Sequence, residues 1–554
     1  MKKLLFFILL GIAIPVFGQN YAITYQKNSN GTPIEIQNAI VVYTNTNQTW
    51  LTTQLIINQK AEFPYEQTII DRTNDHFSQI AALSTKKYCA TIDSTTIAKQ
   101  TFELLPETKT ILGHLCKKAK TSINSNTIEL WYTNELSVKG APGLLGQNLG
   151  LVLETVRNGN FTVVATKIEK VDSFPKIPEI KETLDGLSYK DLLWKSRFTT
   201  IPLFKNQIIN FSEESNKSKD EPTDSIFRFA NGTIAARKIK IPEIKVGSQI
   251  FVDVTEQSNG DAYDRTGALF LIPTNKSNSF LDGLKKGVKS LPLYTNGNGK
   301  EYQGVVATPN YNPIVELMRF YTPFGIKQYN HIQLKDKTWE EQVVYRQDIS
   351  ELRTLLTNQE VWIGINIGNY DKGGHKVSAN ITIHNEEETK AVPTQILPLF
   401  CTNNVMEMAG QEYGTMFNSN KGLEVTFTLN KPLKNAKLRY ITTGHGGWEN
   451  GDEFVPKKNT LILNHKEIFS FIPWRQDCGS YRLFNPASGN FNNGLSSSDY
   501  SRSNWCPGTA TNPIYIELGD LDAGTHTFQV KIPQGQPEGN SFSSWNVSGV
   551  LIGE

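Results

Sequence analysis

Methionine is scarce in this chain, with 5 among 554 residues, and charged residues make up only 20% of it. The formal net charge is +2, and no basic block recurs with aromatics between its members. A polyanionic partner such as nucleic acid is therefore not expected. No CxxC occurs, and the 8 histidines have no ligand-like spacing, which leaves a metal centre without ligands. The N-terminal apolar run, Leu4 to Val16, falls short of the roughly 20 residues that a membrane-spanning helix needs. Lys2 and Lys3 precede it and Gly18 closes it, so residues 1–18 read as a secretory signal cleaved near Gly18. No cysteine stands directly after that point, so a lipoprotein anchor is not expected. The mature chain is expected to be exported, secreted or periplasmic, soluble, monomeric and without a membrane partner.

Glycine, asparagine, threonine, serine and aromatics are plentiful instead, a balance that suits sheets with many turns. The length implies roughly three domains. The five cysteines are Cys89, Cys116, Cys401, Cys478 and Cys506. In an exported protein some should pair. Cys478 and Cys506 share one Gly/Asn/Ser-rich region and would close a long loop; Cys89–Cys116 is a plausible second pair, leaving Cys401 free and buried.

Period-two alternation recurs along the chain, as in Ala39–Tyr43, Thr127–Tyr132 and Phe161–Thr166. Residues 19–172 read as a separate, mostly-β accessory domain. Residues 173–224, rich in proline and charge, read as a linker carrying a short helix around Tyr189–Trp194. Strands return over 225–395 and again over 396–554. Two consecutive strand-rich blocks predict two adjacent jelly-roll β-sandwiches, an all-β fold with a cleft between its halves. Ile349, Leu352, Leu355 and Leu356 predict a short helix over Asp348–Leu356.

Two stretches stand out chemically. In Gly260-Asp261-Ala262-Tyr263-Asp264-Arg265, a carboxylate and a guanidinium share a glycine-flanked turn that feeds the apolar run Leu269–Ile272. A strand-held carboxylate can orient or deprotonate a water. The bland reading is a turn cap with a surface ion pair. The second stretch is the polar loop from Thr442 to Phe454, containing His445, Trp448, Glu449, Asp452 and Glu453, together with Arg502-Ser503-Asn504-Trp505-Cys506-Pro507-Gly508. Tryptophan faces stack on sugar rings, but a Trp-Cys pair is more often core packed on a disulfide, and the acidic residues could be a solvated loop.

The N-terminal segment resembles the GLPGLI family of secreted Bacteroidetes proteins, through Trp131-Tyr132-Thr133, Gly140-Ala141-Pro142-Gly143-Leu144-Leu145 and Gly113–Ala119. That family implies no enzymatic role. From about Ser225 onward the chain resembles the peptide-N-glycosidase F family. Tyr263-Asp264-Arg265 matches its Trp-Asp-Arg, Arg319–Phe324 its Arg-Phe-Ile-Thr-Pro-Tyr, and Arg502 with Trp505-Cys506-Pro507-Gly508 its Arg-x-x-Trp-Cys-Pro-Gly run. Asp348–Leu356 matches a fourth segment. The resemblance implies hydrolysis of the amide between asparagine and the first N-acetylglucosamine of N-linked glycans, on glycoproteins and glycopeptides, without cofactor or metal. It implies Asp264, Glu453 and Arg502 as catalytic, and Arg265, Asn366, His445, Trp448, Glu449 and Trp505 as substrate-binding. Three departures stand beside it. The cysteine pair flanking the family's catalytic loop is absent here, its first active-site glutamate falls on Asn366 or nearby Asn369, and one aromatic is displaced, with Trp448 as its replacement. A glycan-binding jelly roll without activity, or an endo-β-N-acetylglucosaminidase, are the rival readings.

Overall fold

The computed structural model describes residues 19–74, 76–176, 179–212, 215, 220–326, 333–384, 394–446, 450–486, 496–536 and 542–554. The signal expected over 1–18, and the candidates Trp448 and Glu449, lie outside the described residues. The protein is 10% helix and 49% strand, so the all-β expectation holds. It divides into two compact units, one ending at Arg197 and the other beginning at Phe198.

The N-terminal unit is built on one 13-stranded sheet. Alternation in Asn20–Ser29 buries Ile23 and Tyr25, which join Val42, Leu151 and Leu153 in its main apolar cluster. The Gly-Ala-Pro-Gly turn is a plug over that sheet. Gly140 exchanges backbone hydrogen bonds with Gly150 and Val152, and the buried Gln147 amide donates to Ala141 O and Gly143 O. Gly146 has φ +84°, and a Cβ there would stand 2.6 Å from Leu130 Cδ2, so only glycine fits.

Two expectations fail in this region. Cys89 and Cys116 are both free and buried. Cys89, on Lys87–Asp93, packs with Ala81 and Tyr189, whereas Cys116, on His114–Ile123, belongs to the cluster of Ile23 and Val42. The sheet carries the two thiols into different cores. The span 173–224 is more than a linker. Thr183–Leu184 pairs in parallel with the strand holding Cys89, and Asp185 caps the helix Gly186–Lys195 by accepting from Leu187 N and Ser188 N. Thr199–Ile209 is then a strand of the second unit.

The second unit contains two β-sandwiches. In the first, the four-stranded sheet of Thr199–Ile209, His375–His384, Gln249–Ser258 and Val343–Asp348 faces a six-stranded one centred on Glu360–Ile367, Thr266–Ile272 and Val315–Tyr321. Val252, Leu269, Leu317, Ile365 and Ile381 fill the space between them. The expected helix is a 3₁₀ turn, Ser350–Leu355, with Ile349, Leu352 and Leu356 inside. In the second, Gln395–Cys401, Ser544–Gly553, Leu433–His445 and Ile514–Leu521 face Leu423–Leu429, Gly524–Lys531, Asn459–Leu463 and Lys466–Phe471.

The seam between the sandwiches joins apolar contacts of Val550 and Ile552 to a buried polar cluster. Glu316 and Arg319 are both fully buried and joined by an ion pair. Asn403 and Ser548 donate to Glu316, while Arg319 donates to Thr443 Oγ1 and Asn546 O. A buried pair so fully hydrogen-bonded fixes orientation where an apolar seam could slide. Ala510–Thr511, from the second half of the chain, pairs with Val315–Tyr321 of the first. The loop preceding it therefore lies against the end of the first sandwich.

Candidate active site

That loop begins with Arg502. Its backbone forms an isolated antiparallel bridge with Arg475, and Cys478–Cys506 is bonded as expected. Together they fix both ends of the segment. Arg502 is 1% exposed, its guanidinium lies 4.3 Å over the Trp505 ring, and its Nη2 donates to Ser497 O. Trp505 is itself buried, donates through Nε1 to Gly444 O, and stacks on Tyr321 at 4.3 Å. The indole expected to meet a sugar is instead a floor beneath the arginine. Its faces are already occupied.

Two carboxylates converge on Arg502. Glu453 pairs with Nη1, and Asp264 Oδ2 lies 3.2 Å from the same nitrogen. Asp264 is 14% exposed and Glu453 17%, so both keep an edge toward solvent. Burial pushes the Asp264 carboxyl up to about 7; Arg502 opposes that rise and Glu453 adds to it. Burial also raises Glu453, against Arg502 and a backbone hydrogen bond at Gly446. One positive charge between two desolvated carboxyls cannot hold both ionised as easily as one. The two carboxyls therefore titrate as a pair, each raising the cost of ionising the other.

Glu453 is positioned by its neighbour. Asp452 is fully buried and accepts from Trp545 Nε1 and Gly535 N, while its backbone carbonyl accepts from Ser503 Oγ. Ser503 N in turn donates to Glu453 O, tying the two loops together. Asp452 is structural; Glu453 projects.

Asp264 is held from below by groups of which the sequence singled out only Arg265. Thr322 Oγ1 accepts from Arg265 N and donates to Tyr263 O, clamping the backbone on both sides of Asp264. Arg265 donates through Nε and Nη2 to Asp261. Asp261 is buried against His375, whose Nδ1 lies 2.8 Å from Glu256 Oε1 and whose Nε2 lies 3.4 Å from Asp261 Oδ2. Burial alone would lower the imidazole, but the two carboxylates outweigh it and raise His375 to about 9. Asp261 is held down to about 2, the bonds from His375 and Arg265 overcoming its burial. A Glu256–His375–Asp261–Arg265 chain thus lies under the loop where the family resemblance implied a cysteine pair. Glu256 and His375 stand 119 positions apart in the sequence, on strands that pair side by side, and no motif marks either of them.

Arg265 is flanked by two exposed rings, Tyr263 at 5.0 Å and Tyr370 at 5.9 Å. The Tyr370 hydroxyl donates to Glu407 Oε1, and burial raises that carboxyl. Asn366 is not part of this surface. It is buried on Glu360–Ile367 and donates to Thr233 O and Val405 O. Asn369 is buried too, donating to Ile209 O and Ile367 O. Both amides hold backbone, which no carboxylate could do there. His445 lies beside Tyr321, its Nε2 2.8 Å from Thr443 Oγ1. Burial, then Arg319 and Arg502, push it down to about 3, so it is neutral. Thr443 Oγ1 already accepts from Arg319 and Tyr321, so its own proton goes to His445 Nε2.

The arrangement pairs a carboxyl poised near neutrality with a fixed cation and a second carboxyl, beside exposed aromatic rings. It suits water activation next to a sugar-bearing amide. The family models that match the chain are N-glycanase peptide, N-terminal domain, over residues 23–191, Peptide-N-glycosidase F, N terminal, over 200–383, and Peptide-N-glycosidase F, C terminal, over 412–552. Two solved structures of PNGF-II, in the C2 and P21 space groups, are 57% identical to this chain, cover 97% of it and 98% and 99% of their own length, and superpose with a TM-score of 0.88. A solved PNGase F, a glycosylasparaginase from Flavobacterium meningosepticum, is 16% identical over 64% of this chain and 96% of its own, with a TM-score of 0.41. No curated protein matches.

Proposed function

We propose that this chain, which belongs to the peptide-N-glycosidase F family, hydrolyses the amide bond joining an asparagine side chain to the first N-acetylglucosamine of an N-linked glycan. The products are an intact glycan released as its glycosylamine and an aspartate in the peptide. In full terms it is a peptide-N4-(N-acetyl-beta-glucosaminyl)asparagine amidase. The observation that carries this reading is the convergence of Asp264 and Glu453, from different sandwiches, on the buried Arg502.

Amides hydrolyse slowly because the amine is a poor leaving group and the carbonyl a poor electrophile. Asp264, ionised, takes a proton from the attacking water as oxygen bonds to the side-chain carbonyl carbon. A carboxyl raised toward neutrality is a stronger base than an ordinary one and is still largely ionised at slightly alkaline pH. Arg502 holds Asp264 in place and favours negative charge developing beside it. Collapse of the tetrahedral intermediate breaks the C–N bond, and the proton taken by Asp264 passes to the departing nitrogen. Glu453 fixes Arg502 and binds the first sugar. Arg265, braced by Asp261, presents Tyr263 and Tyr370 as stacking faces for the glycan core. His445, neutral, offers no competing charge.

Mass spectrometry on a denatured N-glycoprotein and a short glycopeptide tests this. Conversion of the site to aspartate with release of the whole glycan is expected. A single N-acetylglucosamine left on asparagine would mean an endoglycosidase, and binding without cleavage would mean a lectin-like protein. The Asp264→Asn variant should fold and lack turnover; full activity in it would remove Asp264 from the reaction. The secretory reading of residues 1–18 belongs to the same proposal and is checked by the N-terminus of the protein recovered from the culture medium.

A further inference from the structure

The N-terminal unit carries a cavity of about 610 Å³ that the reaction does not use. Trp50, Phe63, Tyr65, Gln67, Tyr88 and Lys176 are among the residues that line it. Sheet register explains why these side chains meet. Tyr65 and Gln67 stand two residues apart on Tyr65–Asp71 and so share a face. Tyr65 lies opposite Ala82, and Ala82 opposite Tyr88, which places both tyrosines on that face. Phe63 stacks on Tyr65 with ring centroids 5.3 Å apart and is itself 41% exposed, so its outer face is open.

Gln67 decides what kind of ligand fits. It is 4% exposed, and its Oε1 accepts from both Trp50 Nε1 and Thr52 Oγ1. An indole N–H can only donate, so the amide orientation is fixed with oxygen toward Trp50 and NH₂ toward the cavity. Among the described residues that nitrogen has no partner. That nitrogen keeps access to solvent, so it is a donor free for a ligand, and its orientation is enforced by the bonds to Oε1 on the other side. The lining has no carboxylate, which disfavours a cationic ligand. An open aromatic face beside a fixed amide donor matches a pyranose ring. Its CH face packs on Phe63 while a hydroxyl or acetamido oxygen accepts from Gln67 Nε2.

We propose that this cavity is a second carbohydrate site, one that takes an acetamido-sugar unit of an oligosaccharide and is distinct from the Asp264–Arg502–Glu453 centre. It stands independently of the reaction proposed above, since every residue in it belongs to the N-terminal unit.

The full chain carrying Asp264→Asn is titrated with the trimer of N-acetylglucosamine by calorimetry, with and without a second substitution. Phe63→Ala removes an exposed ring and should weaken one class of site by about tenfold. Gln67→Glu keeps the oxygen that Trp50 and Thr52 donate to but replaces the donor, and should abolish that site. In the otherwise unaltered chain, both variants should release glycan from a short glycopeptide at the normal rate. Unchanged trimer binding in both variants would overturn the proposal. So would binding lost only on Arg502→Lys, which would place all of it at the catalytic centre. Displacement by an aromatic dipeptide but not by the trimer would assign the cavity to a peptide and overturn it as well.

Discussion

Asp264 of the first sandwich and Arg502 of the second approach to 3.2 Å, carboxylate oxygen to guanidinium nitrogen. Neither sandwich alone has the pair. The polar seam at Glu316 and Arg319 and the strand pairing of Ala510–Thr511 set the distance between them. Small errors in docking the sandwiches would therefore appear directly in catalysis.

Activity should rise with pH. Asp264 is pushed up to about 7, so the base is lost to protonation below that, and kcat/KM should climb along an acid limb with its midpoint near neutrality. Glu453→Gln removes the like charge and leaves Arg502 wholly to Asp264. The midpoint of that residual activity should then fall, read from a pH–rate profile. An unmoved limb would mean that another group governs it.

Arg502→Lys should lose about 10²-fold in kcat/KM with modest change in KM, because a point charge cannot serve both carboxylates as a planar fork does. Steady-state kinetics on a fluorescent glycopeptide checks this, with thermal unfolding as the control for loss of the Trp505 stack.

The chain beneath the catalytic loop should show itself in stability. His375 is raised to about 9 in the fold, so its contribution is whole below the unfolded value near 6.5 and is lost as pH rises through 9. Asp261, held down to about 2, contributes above about 4 and loses that as pH falls through 2. His375→Gln leaves Glu256 buried without its cation and Asp261 with Arg265 alone, and should cost about 3–5 kcal/mol. It should also flatten the decline of Tm between about pH 6.5 and 9. A variant with the parent's alkaline profile would show that the imidazole is not charged.

Asn366→Asp tests whether a carboxylate belongs where the family resemblance implied one. The substitution faces two backbone carbonyls with an anion and removes the amide that donates to both. Tm should fall, by a stability loss of about 1–3 kcal/mol or more, with no gain in turnover. Higher activity would return position 366 to the site.

Reduction of Cys478–Cys506, or the double change to alanine, should cost about 3 kcal/mol through the loop it closes. It should also lower kcat, since Cys506 follows the indole on which Arg502 rests. Unfolding and glycopeptide turnover with and without reductant measure both.

The sequence by itself determined the fold class and marked the groups proposed to react. Alternation in strands such as Leu423–Leu429 depends only on which side chains prefer water, so period two is written locally. Asp264, on a turn feeding an apolar strand, and Cys478 with Cys506, in one polar region, were legible for the same reason. Other decisions came only with the tertiary structure. Trp505 and Asn366 look like ligand residues by type, yet one became a floor and the other a backbone clamp, because burial depends on what packs from elsewhere in the chain. Cys89 and Cys116 look like a pair, yet the sheet carries them into different cores. His375 and Glu256 carry no motif at all; adjacent strands bring them under Asp261. The placement of Asp264 beside Arg502, 238 positions along the chain, is fixed by a seam between two sandwiches, and no local pattern encodes a distance of that kind.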